Sequence, residues 1–462
     1  MLTLDQAISE AVNALCQQLK AFQPDAARQY PYRLQQPLTV SGELDLTDWL
    51  ASQRQFPKFF WRSRDQRFQT AALGIAAQYT GEQAFEQLAT SKARQSKLRY
   101  YWLSGFDNSD SSPSEVAQQR LFLPQIELYQ QHDQLYLSVT LSCAADLAEI
   151  ETQLGRLQRV SPLNAPSLTV LQRHDRPNFD QWQQAISDAK RSFKEGHLQK
   201  VVLARQSQLE CQQPLSFWSL FKRWQRASVN SYQIGFQPSA DKGFISFTPE
   251  RLFMRDGRTL CTEAVAATLP RSNDNQLARE QAQALLNDTK SRHEHDLVVV
   301  EIGAKLEALG VKLGQGCGTS LLKLVGLQHL HQPIQGQLPE RDMDAQLLST
   351  LHPTAAVGGL PAENARQFIS QHEPFQRGWY AGCCGYIGPE KTELAVTIRS
   401  AEVDATRLTL YAGAGIVPQS DPLLEWQELE QKIALPLSLF DQQSCVDSDS
   451  LDPDAFNPSS LA

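Results

Sequence analysis

Residues 411–432, YAGAGIVPQSDPLLEWQELEQK, gather the densest chemistry in the chain. Glu425, Glu428 and Lys432 stand three and four residues apart, so on a helix two carboxylates and an ammonium share one face. Ser420 or Asp421 can cap that helix, and Pro422 suits its first turn. Just upstream, Gly413 and Gly415 leave a strand without side chains, which lets a ligand approach its N–H groups closely. On its own the segment also fits a solvated helix with i,i+4 ion pairs after a glycine-rich strand.

Other reactive side chains are spread along the sequence. Lys200 heads the apolar strand LQKVVLARQSQLE, where Lys200, Val202 and Ala204 point one way. That position favours burial, the plain alternative being an edge lysine with its head in water. Glu250 follows Pro249 in TPERLF, where the proline halts strand pairing and fixes the direction of the acid. Arg399 stands inside the strand-like LAVTIRSAEV, and a buried arginine needs an anionic partner. Glu294, Val298 and Glu301 line one face of a helix. His293 and His295 are two apart and point to different sides of it, which rules against chelation by that pair. His329 and His331 share a strand face with no third metal ligand nearby.

The elements that must position these groups read as follows. The N-terminal MLTLDQAISEAVNALCQQL is an amphipathic helix rather than a signal peptide. Residues 56–65 and 97–106 are aromatic strands, 121–141 a hairpin turning near His132-Asp133, and 145–158 a helix. From Asn178 a capped helix buries Trp182, Ile186, Ala189 and Phe193, and the Lys200 strand comes next. A helix over 215–225, two strands SYQIGFQ and GFISFTPERLF, and a strand CTEAVAATLPR lead into a long helical stretch from Gln276 to about Gly310. Residues 322–338 read as one alternating strand. The stretches 377–388, 394–403 and 409–417 read as three strands of an antiparallel meander. This divides the chain into a strand-rich half at 1–165, a region at 166–440 that carries the chemistry, and a Ser/Asp/Pro-rich tail at 441–462 predicted to be disordered.

Composition narrows the function classes. At 462 residues, 41% hydrophobic and 20% charged, the chain is an ordinary globular protein with more than one lobe or one large elaborated fold. No apolar run is long enough to span a membrane. Five of the eight net negative charges sit in the tail, and no basic patch is interleaved with aromatics, which argues against nucleic acid as a partner. The eight cysteines are scattered without a CxxC pair, so they read as reduced thiols of a cytoplasmic protein.

Nine segments in order, KVVLAR, TPERLF, TEAVAAT, EHDLVV, QHL, LHPTAAVGGLP, RGWYAGCCGY, IRSAEV and YAGAGIVPQSDPLLEWQE, resemble the chorismate-utilising enzymes over roughly 178–436. The resemblance implies an α+β fold of two packed antiparallel β-sheets with helices outside and a site between the halves. It also implies a Mg²⁺-dependent reaction on chorismate. Members that add water have a lysine matching Lys200. The aminodeoxychorismate synthases have one in a PIKGT motif, where this chain has Ala266, so neither amination nor a glutamine amidotransferase subunit is expected. The motif wording is most similar to the isochorismate synthases, particularly the menaquinone-pathway type. A salicylate synthase, a siderophore-pathway isochorismate synthase and a non-catalytic chorismate-binding module are the alternatives. A monomer is expected. The family's AGT reads Ala266-Ala267-Thr268 here, a departure at the turn's glycine.

Carried onto these positions, the resemblance makes Lys200 the base and Glu250 the acid. Lys200 must then be neutral, favoured by burial and a nearby cation. Glu250 must be protonated, favoured by burial or a nearby negative charge. Glu294 and Glu428 would hold Mg²⁺, with Glu425 reaching it through water. Thr268, His329, Tyr380, Arg399, Gly413, Gly415 and Lys432 would bind the substrate.

Overall fold

In the computed structural model, residues 2–439 are described except 23–30, 41–44, 82, 85, 88–97, 108–118, 164–168, 229, 273, 317 and 325. The tail expected to be disordered lies outside the described residues. The first strands are β1 (Tyr32–Leu38), β2 (Lys58–Arg62), β3 (Phe68–Thr80), β4 (Tyr100–Ser104), β5 (Arg120–Gln131), β6 (Gln134–Leu141) and β7 (Val170–Arg176). Next come β8 (Lys200–Cys211), β9 (Tyr232–Gln237), β10 (Lys242–Thr248), β11 (Arg251–Asp256), β12 (Thr259–Pro270), β13 (Lys312–Leu313), β14 (Ser320–Lys323) and β15 (Leu327–Gln337). The last are β16 (Gly359–Leu360), β17 (Cys383–Ile387), β18 (Lys391–Val396), β19 (Ser400–Asp404) and β20 (Arg407–Ile416).

All their pairings are antiparallel, and they form two layers. One layer runs β1–β6–β5–β3–β2–β9–β10–β19–β20–β8–β7, with β16 on the free part of β8. The other runs β4–β17–β18–β11–β12–β15, with β13 and β14 on the far edge of β15. The two expected sheets are therefore present, but β5 joins them: one of its edges carries β6 and then β4. Aromatic rings fill the space between the layers. Tyr386 of β17 meets Phe68 of β3 at 5.0 Å and Trp61 of β2 at 6.3 Å, and Tyr101 of β4 meets Phe59 of β2 at 4.8 Å. Burying such rings is among the largest apolar contributions a core can have.

Helices cover the outside, each with an apolar stripe turned inward. The Phe179–Lys194 helix is capped by Asn178 through a capping box and buries Trp182, Ala185, Ile186 and Ala189. The Pro422–Ser438 helix is capped by Asp421, whose carboxylate accepts the Leu423 and Leu424 N–H groups at 3.0 and 3.1 Å. Among the described residues no helix is long and apolar enough to cross a membrane.

Several segments read as continuous are broken, and the breaks carry the chemistry. GFISFTPERLF is two strands, β10 and β11, because Pro249 has no N–H to offer a ladder. LAVTIRSAEV is likewise β18 and β19, with Arg399 between them at φ 49° rather than within a strand. Both breaks are crossings from one layer to the other: β10 and β19 pair in the first layer, β11 and β18 in the second. The crossings lie side by side, joined by Val396 N–H to Glu250 O at 3.0 Å and Phe247 N–H to Arg399 O at 3.1 Å. The expected meander is thus two hairpins, β17–β18 and β19–β20. Tyr380 precedes β17 in a turn, where Gly378 and Ala381 take positive φ. Residues 322–338 fold back as β14 and β15. The long helix splits at Asp288, whose side chain accepts the Ser291 N–H and starts a second helix, giving Asn275–Asn287 and Thr289–Ala308.

Candidate active site

A cavity of about 660 Å³, including its open mouth, lies at the seam where the two layers exchange strands. Of the twelve residues singled out in the sequence, nine line it: Glu250, Glu294, His329, Tyr380, Arg399, Gly413, Gly415, Glu428 and Lys432. The other three stand one contact behind. Lys200 reaches Glu294, Thr268 bonds His329, and Glu425 meets Lys290.

Lys200 is fully buried on β8, with its ammonium 3.0 Å from Glu294 Oε1 but making no aligned hydrogen bond. The charge beside it is therefore an anion, contrary to the expected cation. It arises because the Thr289–Ala308 helix turns Glu294 over Gly415, where an added Cβ would overlap Glu294 Oε1. At Gly413 a Cβ would meet the Tyr380 hydroxyl at 2.6 Å. Both glycines also present their backbone. In β8 the partners Val202 and Ala204 donate away from β20, to Gly358 O at 2.7 Å and Glu373 Oε1 at 2.8 Å. In that register Gly415 and Gly413 turn their own N–H and C=O groups away from β8. Lys432 uses one of these, donating to Gly413 O at 2.7 Å.

Glu250 is buried at the β10–β11 crossing. Burial, then the Glu263 charge, lift its carboxyl to about 8, against the pull of Lys200 and Lys432. Both conditions named for a protonated acid are thus met, the negative charge coming from a residue the sequence reading quoted in TEAVAAT but did not single out. Glu263 itself is held down at about 2: burial opposes this, but the His331 hydrogen bond and the Arg64 guanidinium outweigh it.

Arg399 has no carboxylate partner among the described residues. Its Nη2 donates to His329 Nε2 at 2.8 Å, and burial lowers the guanidinium to about 10. Among the described residues the expected anion is not a protein group, and the guanidinium fork, which suits a carboxylate, lines the cavity. Arginine can only donate, so His329 Nε2 is bare and Nδ1 carries the hydrogen, 3.2 Å from Thr268 Oγ1. Burial, then Arg399 and Lys432, keep that ring neutral, well below its ordinary range. Ala267 bulges out of the β12–β15 ladder beside Thr268 at φ 58°, which explains why glycine suits this turn. Tyr380 stacks on Tyr411 with ring centroids 5.1 Å apart, and Tyr411, too, was missed in the sequence.

The acidic face pairs one lysine to each carboxylate: Glu294 with Lys200 at 3.0 Å, Glu428 with Lys432 at 2.6 Å and Glu425 with Lys290 at 2.5 Å. Glu425 is thus held by an ammonium. Burial raises it first, and the Glu428 charge adds to that. Among the described residues no three acidic, His or Cys side chains already form a metal cage. Yet Lys290 feels Glu425, Glu294 and Glu428 together, which raise it despite burial. Glu294, Glu425 and Glu428 supply carboxylate oxygens, the hard donors that Mg²⁺ takes.

Comparison with known proteins identifies the family and the fold. The family described as chorismate binding enzyme matches residues 20–439. The chain is 34% identical over 402 residues to isochorismate synthase MenF of Escherichia coli, covering 86% of this chain and 91% of that protein. It is 30% identical over 437 residues to isochorismate synthase MenF of Haemophilus influenzae, covering 94% and 97%. The solved structure of the menaquinone-specific isochorismate synthase MenF from Escherichia coli superposes with a TM-score of 0.85 at 32% identity, over 94% of this chain and all of that one.

Proposed function

The chain belongs to the chorismate-binding enzymes, and we propose that it is an isochorismate synthase of the menaquinone type. It converts chorismate to isochorismate by adding water at C2 and expelling the C4 hydroxyl across the ring diene. The observation that carries the reaction type is a pair of buried groups at the cavity: an amine on β8, one contact behind the wall at Glu294, and a carboxyl lining the wall at the layer crossing, which burial and Glu263 keep protonated.

In this reading Lys200 takes a proton from the water that attacks C2, a role that needs the neutral amine; the Glu294 carboxylate 3.0 Å away favours the ammonium, and a cation held by Glu294 would offset that charge. Glu250 gives its proton to the oxygen leaving C4, so that hydroxide is never released as such. Each such proton transfer contributes roughly 10²–10⁴-fold in rate. Arg399, held by His329, grips the enolpyruvyl carboxylate, with Lys432 and the β20 backbone at Gly413 and Gly415 beside it. Tyr380, stacked on Tyr411, sets the ring plane. Thr268 fixes the His329 tautomer. Glu294 and Glu428, with Glu425 behind, would hold Mg²⁺, which supplies a hard Lewis acid for the ring carboxylate. Ala266 offers no amine to attack the ring, which supports a water reaction that needs no glutaminase subunit.

Incubation with chorismate and Mg²⁺, followed by chromatography, tests the proposal. Isochorismate without pyruvate is expected. Salicylate and pyruvate in stoichiometric yield would reassign the chain to the eliminating enzymes, and binding without turnover would make it a non-catalytic module.

A further inference from the structure

One buried ion pair is used by nothing in the reaction above, yet it touches the backbone on both sides of Glu250. Arg64, which follows β2 in the first layer, donates two parallel hydrogen bonds to Glu263 at 2.7 and 2.8 Å. The same guanidinium donates to Pro249 O at 2.5 Å. Glu263 Oε1 accepts the Arg251 N–H at 2.8 Å, and its Oε2 lies 3.0 Å from His331 Nε2. The groups immediately before and after Glu250 are therefore tied to one charge pair, which bridges the layers where the chain crosses between them.

We infer that the Glu263–Arg64 pair is a positioning device for Glu250, clamping its backbone from both sides and setting a permanent negative charge beside its carboxyl. The inference rests on Glu250 being the acid proposed above. Two carboxyls whose surroundings push them in opposite directions are the arrangement in which one stays ionised and the other keeps its proton. Here Glu250 lies at about 8 and Glu263 at about 2. The charges facing Glu250 come from every side of the cavity. Glu263 on β12 favours the proton; Lys200 on β8 and Lys432 on the Pro422–Ser438 helix oppose it. The Tyr380 hydroxyl faces it from the turn before β17. Glu294, Glu428, His329 and Arg399 share the cavity. Of these, Glu263 is the charge that lifts Glu250, and four hydrogen bonds, two from Arg64 and one each from the Arg251 N–H and His331, prevent it from taking a proton itself.

The test is the pH profile of kcat/KM, which reports the free enzyme's acid. In the unaltered protein it should fall as pH rises through about 8. Glu263→Gln keeps the shape and removes the charge, so this limb should move down by roughly one pH unit, a loss of about tenfold on the alkaline side. Glu263→Asp keeps the charge and should hold the limb near its original position. If Glu263→Gln alone fails to fold because Arg64 is left unpaired, the double variant with Arg64→Gln removes both charges and should show the same downward shift. An unmoved limb in Glu263→Gln or the double variant, or an equal shift in Glu263→Asp, would overturn the inference. A protein that does not convert chorismate at any pH would instead remove the functional reading. An infrared titration of the carboxyl band, with Glu250→Gln as the subtraction, then still decides whether Glu263 holds the proton on Glu250.

Discussion

Glu250 carries a conflict between function and stability. Its carboxyl sits at about 8 in the fold, against an ordinary 4.5. The folded chain therefore binds one more proton than the unfolded chain between those values. The associated stability is fully present below about pH 4.5 and is lost as pH rises through 8. Glu250→Gln should abolish most turnover and yet melt later than the parent above pH 8, by on the order of a few kcal/mol in stability. Thermal melts at pH 6 and 9 check this, and equal melting at pH 9 would contradict the buried, raised acid. Ala267 is a second strained position. At φ 58° a Cβ costs about 1–2 kcal/mol, partly offset by the looser unfolded chain that glycine allows. Ala267→Gly should therefore stabilise the fold by up to about 1 kcal/mol in urea titration. Lys200, Glu250, Arg399 and the two glycines can be picked out in the sequence by type and place, but type and place alone fitted plainer readings, and their roles came only from the family resemblance. Glu263 cannot be picked out, because nothing local marks a glutamate in an alternating strand as the neighbour of an acid thirteen residues earlier.

The elements were legible where their pattern is periodic and misread where the chain changes layer. Trp182, Ile186 and Ala189 give the Phe179–Lys194 helix its buried face as the spacing predicts. Pro249 marks the end of β10 and the apolar phase shifts after Ile398, but neither signal reveals that the chain leaves one sheet for the other there. Those two breaks are where Glu250 and Arg399 stand, and crossing the seam is what turns them into one cavity. The glycines of β20 make the opposite wall. Gly415→Ala would drive a methyl into Glu294 Oε1 while leaving the β8–β20 ladder intact. Mg²⁺ affinity, measured by calorimetry, should then drop at least about tenfold with little change in melting temperature. Unchanged affinity would remove Glu294 from the metal site.

At the scale of the whole molecule, two sheets joined through β5 enclose an aromatic core and leave a polar seam at one side. Their antiparallel pairing and outer helices follow from patterning, but the shared strand does not, since a strand's two edges are not distinguished by its sequence. The seam gathers an amine, a protonated acid, a guanidinium with no carboxylate partner among the described residues and three carboxylates from five separate segments. Such a convergence fits a reaction that moves one hydroxyl across a ring with a proton taken on one side and given on the other. The most direct test of that claim is turnover of chorismate in H₂¹⁸O with the product read by mass spectrometry. Proton transfer through Lys200 and Glu250 requires isochorismate carrying one ¹⁸O at C2 from solvent. Unlabelled isochorismate, showing that the original hydroxyl migrated, would contradict it.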